Sequence, residues 1–197
     1  MKNELKKNDF SVSLEIFPPK KEEEFAGAFE LLDKLALLKP DFISVTYGAG
    51  GSRSKKTVEM TSYIKNTLNI PALAHLTCVG NTKNDIDNVV ADLKAAGINN
   101  VLALRGDRPA YMTDEQYNAR EFEHASDMIA YLKETTDFKI AGACYPEKHF
   151  EAFSFKEDVR YLKQKVDLGV EMLISQLFFD NEMFYRFEEM TQIAGIN

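Results

Sequence analysis

The chain has 197 residues, 45% of them hydrophobic, which is enough to bury one sizeable core, and nothing in its composition marks disorder. A formal net charge of −7 and a pI near 5.1 exclude a broad basic face for nucleic acid, so any anionic ligand needs local Lys or Arg. No apolar run reaches membrane-spanning length, residues 1–7 carry no signal-peptide core, and Cys78 and Cys144 form no C-x-x-C pair; a reduced, cytoplasmic protein with no membrane partner is expected.

Residues 11–17 read as a strand stopped by Pro18-Pro19, because proline cannot donate to a ladder, and Glu15 is then a carboxylate on a strand expected to be buried. Residues 22–38 follow as a helix with Phe25, Phe29, Leu32, Leu35 and Ala36 at helical spacing; its first turn holds Glu22, Glu23 and Glu24, where the helix dipole favours negative charge. A strand at 41–47 leads through Gly48-Ala49-Gly50-Gly51-Ser52 into a helix at 54–68. Such a glycine-rich turn can cradle a phosphate, but it lacks both the P-loop lysine and the G-x-G-x-x-G spacing. A strand at 72–78, an amphipathic helix at 82–96 stopped by Gly97, and a strand at 100–104 come next, the last running into Arg105-Gly106-Asp107. Residues 108–121 are polar and aperiodic and read as a loop at the active mouth. A helix at 122–135, a strand at 139–145, a helix at 155–168, a strand at 171–179 and a helix at 182–193 complete the pattern.

A repeated strand and helix gives a parallel sheet whose strand C-termini point one way. The clusters at Glu15, Thr46-Tyr47, His75, Arg105-Gly106-Asp107, Tyr145 and Gln176 should therefore gather at one mouth, as the strand ends of a (β/α)8 TIM barrel do. The expected fold is α/β of that type with six of the eight βα units, as one incomplete barrel domain over residues 1–197. By residue type alone, Glu15 also suits an ion pair with a Lys or Arg, Asp107 a turn after Gly106, and Gln176 an amide that satisfies backbone groups.

The motifs at these strand ends carry a resemblance. Leu14-Glu15-Ile16-Phe17-Pro18-Pro19, Val45-Thr46-Tyr47-Gly48-Ala49, Ala74-His75-Leu76-Thr77-Cys78, Leu104-Arg105-Gly106-Asp107, Tyr145-Pro146-Glu147-Lys148-His149 and Gln176-Leu177-Phe178-Phe179-Asp180 together closely resemble the flavin-dependent 5,10-methylenetetrahydrofolate reductases, in the same order. The resemblance implies an oxidoreductase of one-carbon metabolism and methionine biosynthesis. Its non-covalent FAD takes a hydride from NADH or NADPH and passes it to 5,10-methylenetetrahydrofolate. By the same resemblance Glu15 is the general acid that helps open the methylene bridge, with a pKa expected to be raised by burial. Asp107 is the carboxylate beside the flavin and the pterin, where its charge tunes the flavin and favours a cationic folate, and Gln176 is the amide that contacts nicotinamide and folate. The implied FAD contacts are Thr46, Tyr47, Ala49, His75, Arg105, Gly106, Asp107, Ala125, Tyr145, His149, Ala152, Asp158 and Lys165, with Arg105 and Lys165 meeting the pyrophosphate.

The chain departs from that pattern in three ways. Tyr161 stands where an Asn meets the adenosine part of FAD, Gln164 stands where an Arg does, and the seventh and eighth units, which carry further folate contacts, are missing. The alternative expectation is an inactive or weakly flavin-binding truncated fragment whose open sheet depends on association, for instance as a homo-oligomer. A metal-dependent barrel would use His75, His149, Glu15 and Asp107, but no short H-x-H spacing supports it, and none is expected.

Overall fold

The computed structural model describes residues 10–19, 21–47 and 52–196. In chain order these form β1 (Ser13–Ile16), a 3-10 turn (Glu22–Glu24), α1 (Phe25–Ala36), β2 (Phe42–Val45), α2 (Ser52–Asn66), β3 (Ala72–Thr77), α3 (Lys83–Ala95) and β4 (Asn100–Leu104). A short α4 (Asp114–Asn118), α5 (Ala125–Thr135), β5 (Lys139–Cys144), α6 (Phe155–Asp167), β6 (Val170–Ser175) and α7 (Asn181–Ile193) follow. The strands lie in the order β1-β2-β3-β4-β5-β6, every neighbouring pair parallel. This is the expected barrel-type α/β fold with six of eight units, an open sheet with β1 and β6 at its edges.

Register decides which side chains face the mouth. Glu15 pairs with Ser44 and Ser44 with Leu73; His75, Leu102, Ala141 and Met172 form the next row; Thr77 pairs with Leu104 and Ala143 with Ile174. Paired residues share a face, and strand side chains alternate, so these residues point to the concave side. There Leu73, Leu102 and Ala141 pack with Phe42, Leu104, Met172 and Ile174 as a thin apolar floor. The opposite face carries the main core. Ile43, Val45, Leu76, Val101 and Ile140 are fully buried against Leu32 of α1, Ile64 of α2, Ile86 and Leu93 of α3, and Met128 and Leu132 of α5. Each such burial contributes roughly 1.5–3 kcal/mol, so this layer holds the strand ends in place.

Several elements differ from the sequence reading: α5 begins at Ala125 rather than 122, residues 22–24 form a 3-10 turn ahead of α1, and β2 covers only Phe42–Val45. β1 is shorter than residues 11–17, because Val12 and Asp41 replace the regular ladder: Val12 N donates to Asp41 Oδ2 and Asp41 N to Val12 O, both at 2.8 Å. β6 ends at Ser175 rather than 179; Gln176 N still donates to Cys144 O at 2.8 Å, but β5 ends at Cys144 and leaves residues 177–179 without a partner strand. Residues 108–121 contain α4, held by a capping box in which Thr113 Oγ1 accepts from Gln116 N at 3.2 Å and Gln116 Oε1 from Thr113 N at 3.0 Å. Both cysteines are free and buried, and burial pushes each thiol up to about 11, so they are inert packing groups. Among the described residues no helix is long and apolar enough to cross a membrane.

Candidate active site

A cavity of about 450 Å³ opens at the C-terminal ends of β4 and β5, lined also by the first residues of α5 and one face of α6. Arg105, the first residue past β4, carries its guanidinium there and meets Glu151 in a two-pronged ion pair, Nη1–Oε2 at 2.5 Å and Nη2–Oε1 at 2.9 Å. This bonding holds the Glu151 carboxyl below its usual range and raises Arg105, the same direction seen from both partners. Lys165 of α6 reaches the same cavity and donates to Ala143 O at 2.6 Å; burial lowers its pKa, and Asp158 acts against that.

Tyr145 and His149 form the aromatic part of the wall, edge to face with ring centroids 4.6 Å apart. His149 N donates to Asp158 Oδ2 at 2.9 Å, and its Nδ1 accepts from Glu151 N at 3.2 Å, so the proton of the neutral ring sits on Nε2. Burial lowers the His149 pKa, which favours the neutral ring. The cavity thus combines two cations, Arg105 and Lys165, and the carboxylates of Glu151, Glu157 and Asp158 with aromatic walls, and the positive end of the α5 dipole adds to the cationic side.

Seven of the residues expected to meet a cofactor line this cavity: Arg105, Ala125, Tyr145, His149, Ala152, Asp158 and Lys165. Thr46, Tyr47, His75, Gly106 and Asp107 lie apart from it, at or just beyond the C-terminal ends of β2, β3 and β4, and Ala49 falls outside the described residues. None of Glu15, Asp107 and Gln176 lines it. Asp107 and Gln176 are exposed, and Gln176 Oε1 accepts from Leu177 N at 2.9 Å.

Glu15 requires a correction. Its side chain is 48% exposed, so the apolar burial expected around it is absent; β1 is an edge strand of the sheet. The nearest charged or titratable partner is His75, whose Nε2 stands 3.4 Å from Glu15 Oε2. That approach is not aligned as a hydrogen bond, and Nε2 has no hydrogen-bond partner among the described residues; neither has the buried Thr77 Oγ1 one row further along β3. These two buried polar atoms on β3 are free to accept or donate a further hydrogen bond on the concave side.

His75 also ties the mouth to pH. Burial alone brings its pKa down to about 4, so the contact with Glu15 joins a carboxylate or carboxyl to a neutral imidazole rather than forming an ion pair. The unfolded chain takes up this proton as pH falls through about 6.5, whereas the folded chain resists until about 4. Stability from His75 is therefore complete above about 6.5 and is lost between about 6.5 and 4, a loss on the order of 3 kcal/mol. Urea unfolding of the wild type and of His75→Gln across this range should show a steeper acid loss in the wild type. Parallel curves would mean that the folded protein protonates His75 freely.

Sequence reasoning did not single out Glu151, His124, Ser126 or Phe153, all of which line the cavity. The spacing His149-x-Glu151 in the loop that follows β5 was a usable signal. His124 and Ser126 flank Ala125 at the start of α5 and carry no comparable pattern.

A parallel barrel-type α/β sheet with polar strand ends at one mouth and an aromatic-walled cavity carrying Arg105 and Lys165 beside it defines a barrel-type α/β protein with a candidate small-molecule site at the C-terminal end of its strands. The family described as methylenetetrahydrofolate reductase matches residues 1–197, and the chain belongs to that family. It is 38% identical over 187 residues to 5,10-methylenetetrahydrofolate reductase of Escherichia coli strain K12, covering 95% of this chain and 61% of that protein. It is 36% identical to a probable methylenetetrahydrofolate reductase (NADH) of Oryza sativa subsp. japonica, covering 93% of this chain and 33% of that one. The chain thus spans less than two thirds of these relatives. Among solved structures, an uncharacterized protein from Clostridium thermocellum that binds two copies of 5-methyl-5,6,7,8-tetrahydrofolic acid has the same fold, with a TM-score of 0.64, 15% identity, and coverage of 98% of this chain and 64% of that one.

Proposed function

We propose that this chain binds FAD and, with NADH as reductant, reduces 5,10-methylenetetrahydrofolate to 5-methyltetrahydrofolate in the cytoplasm, as one incomplete barrel domain over residues 1–197. The observation that carries this reading is the convergence of Arg105, Lys165, Tyr145 and His149 on one cavity. These residues fit a dinucleotide: two cations for a pyrophosphate and flat rings beside them for an aromatic part of the ligand. When bound, FAD supplies the two-electron carrier between the nicotinamide and the folate. Arg105 would exchange the Glu151 carboxylate for a phosphate oxygen, and Lys165 would add a second donor. The unpartnered His75 Nε2 and Thr77 Oγ1 would complete the polar lining nearer the mouth.

The catalytic roles go to Glu15 as proton donor to the folate, Asp107 as the charge beside the flavin, and Gln176 as the amide that orients nicotinamide and folate. The open concave face gives Glu15 direct access to a ligand lying over β1 and β2.

The test is a visible spectrum of the purified chain reconstituted with FAD, followed by anaerobic addition of NADH and then of 5,10-methylenetetrahydrofolate. The expected result is a flavin band that bleaches and then recovers. A band that never recovers would favour a second reading, flavin binding without turnover, which the exposure of Leu177 (72%) and Phe179 (90%) beside the sheet edge supports. A protein that takes up no FAD overturns both.

A further inference from the structure

We propose that Phe153 and Tyr161 form an aromatic clamp for the purine ring of the bound dinucleotide; this rests on the FAD reading and concerns only its adenosine end. Both residues line the cavity, and both remain open to a ligand, Phe153 94% exposed and Tyr161 44% exposed. Neither packs against another aromatic ring among the described residues, and large apolar rings at a cavity rim await an occupant.

One carboxylate positions the pair. Glu157 Oε2 accepts from Phe153 N at 3.1 Å, and Glu157 Oε1 accepts from Tyr161 OH at 3.4 Å. The backbone that carries the first ring and the hydroxyl of the second are thus tied to the same side chain on α6. Arg160 lies over the Tyr161 ring at 5.0 Å from its centroid and restricts the ring further.

The charge pattern sets the direction of the ligand. Tyr161 and Lys165 are four residues apart on α6, so they share a helix face about 6 Å apart along the axis. A pyrophosphate held by Lys165 and Arg105 leaves its nucleoside one turn towards the N-terminus of α6, where Tyr161 and Phe153 stand. Stacking suits a purine because it needs no hydrogen-bond match. The flavin end, directed towards the strand ends, does not meet these rings.

The experiment compares FAD with FMN, which shares the flavin and one phosphate but lacks the adenosine, by calorimetric titration of the 197-residue chain. The wild type should prefer FAD. Phe153→Ala and Tyr161→Ala should each weaken FAD roughly tenfold and leave FMN unchanged, while Tyr161→Phe, which keeps the ring, should bind FAD as the wild type does. Unchanged FAD-to-FMN ratios in both Ala variants would overturn the clamp and leave the FAD reading intact. A Tyr161→Phe variant as weak as Tyr161→Ala would overturn it as well, by assigning the effect to the hydroxyl. A wild type that binds neither flavin overturns the reading beneath it and the clamp with it.

Discussion

Glu15→Gln should leave the bleaching of the bound flavin by NADH nearly intact and slow the recovery on adding 5,10-methylenetetrahydrofolate by roughly two to four orders of magnitude. The two half-reactions place different demands on the mouth. Delivery of a hydride from NADH requires position but no proton from the protein at the folate, whereas opening a methylene bridge requires one at the departing nitrogen. Glutamine keeps the size and polarity of glutamate and cannot release that proton. Glu15 sits on the concave side of β1, paired in register with Ser44 and 3.4 Å from His75 Nε2, and its half-exposed carboxyl is reachable by a ligand lying on the open face. Stopped-flow absorbance in the flavin band separates the two arms. Equal loss of both would show that Glu15 acts on binding or on the local fold and would remove it as the acid; loss of neither would leave it a bystander on an edge strand.

The alternation of strand and helix was legible because strands covered on both faces read as short apolar runs, and because their helices carry an apolar stripe and punctuating residues such as Gly97 and Pro40. The gathering of strand ends followed from parallel topology alone. What the order of residues did not reveal is set by partners distant in sequence. Whether Glu15 is buried depends on what covers β1, and the ion pair between Arg105 and Glu151 joins residues 46 apart. The adenosine end shows the same limit. In the sequence, Tyr161 and Gln164 read only as departures from the Asn and Arg that the resemblance places at the adenosine end. The exposed ring of Phe153, brought beside Tyr161 by the turn before α6, changes what that position offers. α4 was missed for a smaller reason: Thr113 and Gln116 make a capping box, but a helix of five residues has too few apolar positions to show a period.

Gly106→Ala should destabilise the fold by roughly 2–5 kcal/mol and disturb Arg105 and Asp107 together. Two costs add at this position. Gly106 has φ +83, where an L-residue loses roughly 1–2 kcal/mol. A β-carbon there would also lie 2.9 Å from Thr77 Cβ, 3.0 Å from Val79 Cγ1 and 3.1 Å from Thr77 Cγ2. These are branched side chains on a buried segment, Thr77 9% and Val79 2% exposed, so neither can swing aside, and overpacking of this kind costs roughly 1–3 kcal/mol. Relief by backbone movement is costly as well, because Cys78 N donates to Leu104 O at 3.1 Å and Val79 N to Arg105 O at 2.8 Å, which bind the two strand ends together on either side of the glycine. Gly97→Ala is the matched control: its φ is +73 and nothing stands within 4 Å of the added carbon, so it should lose only the conformational part. Thermal unfolding of the two variants then isolates the crowding, with Gly106→Ala melting several degrees below Gly97→Ala. Equal melting temperatures would show that the β3 and β4 ends give way cheaply, and Arg105 would then be held at the cavity by its ion pair with Glu151 rather than by the turn beneath it.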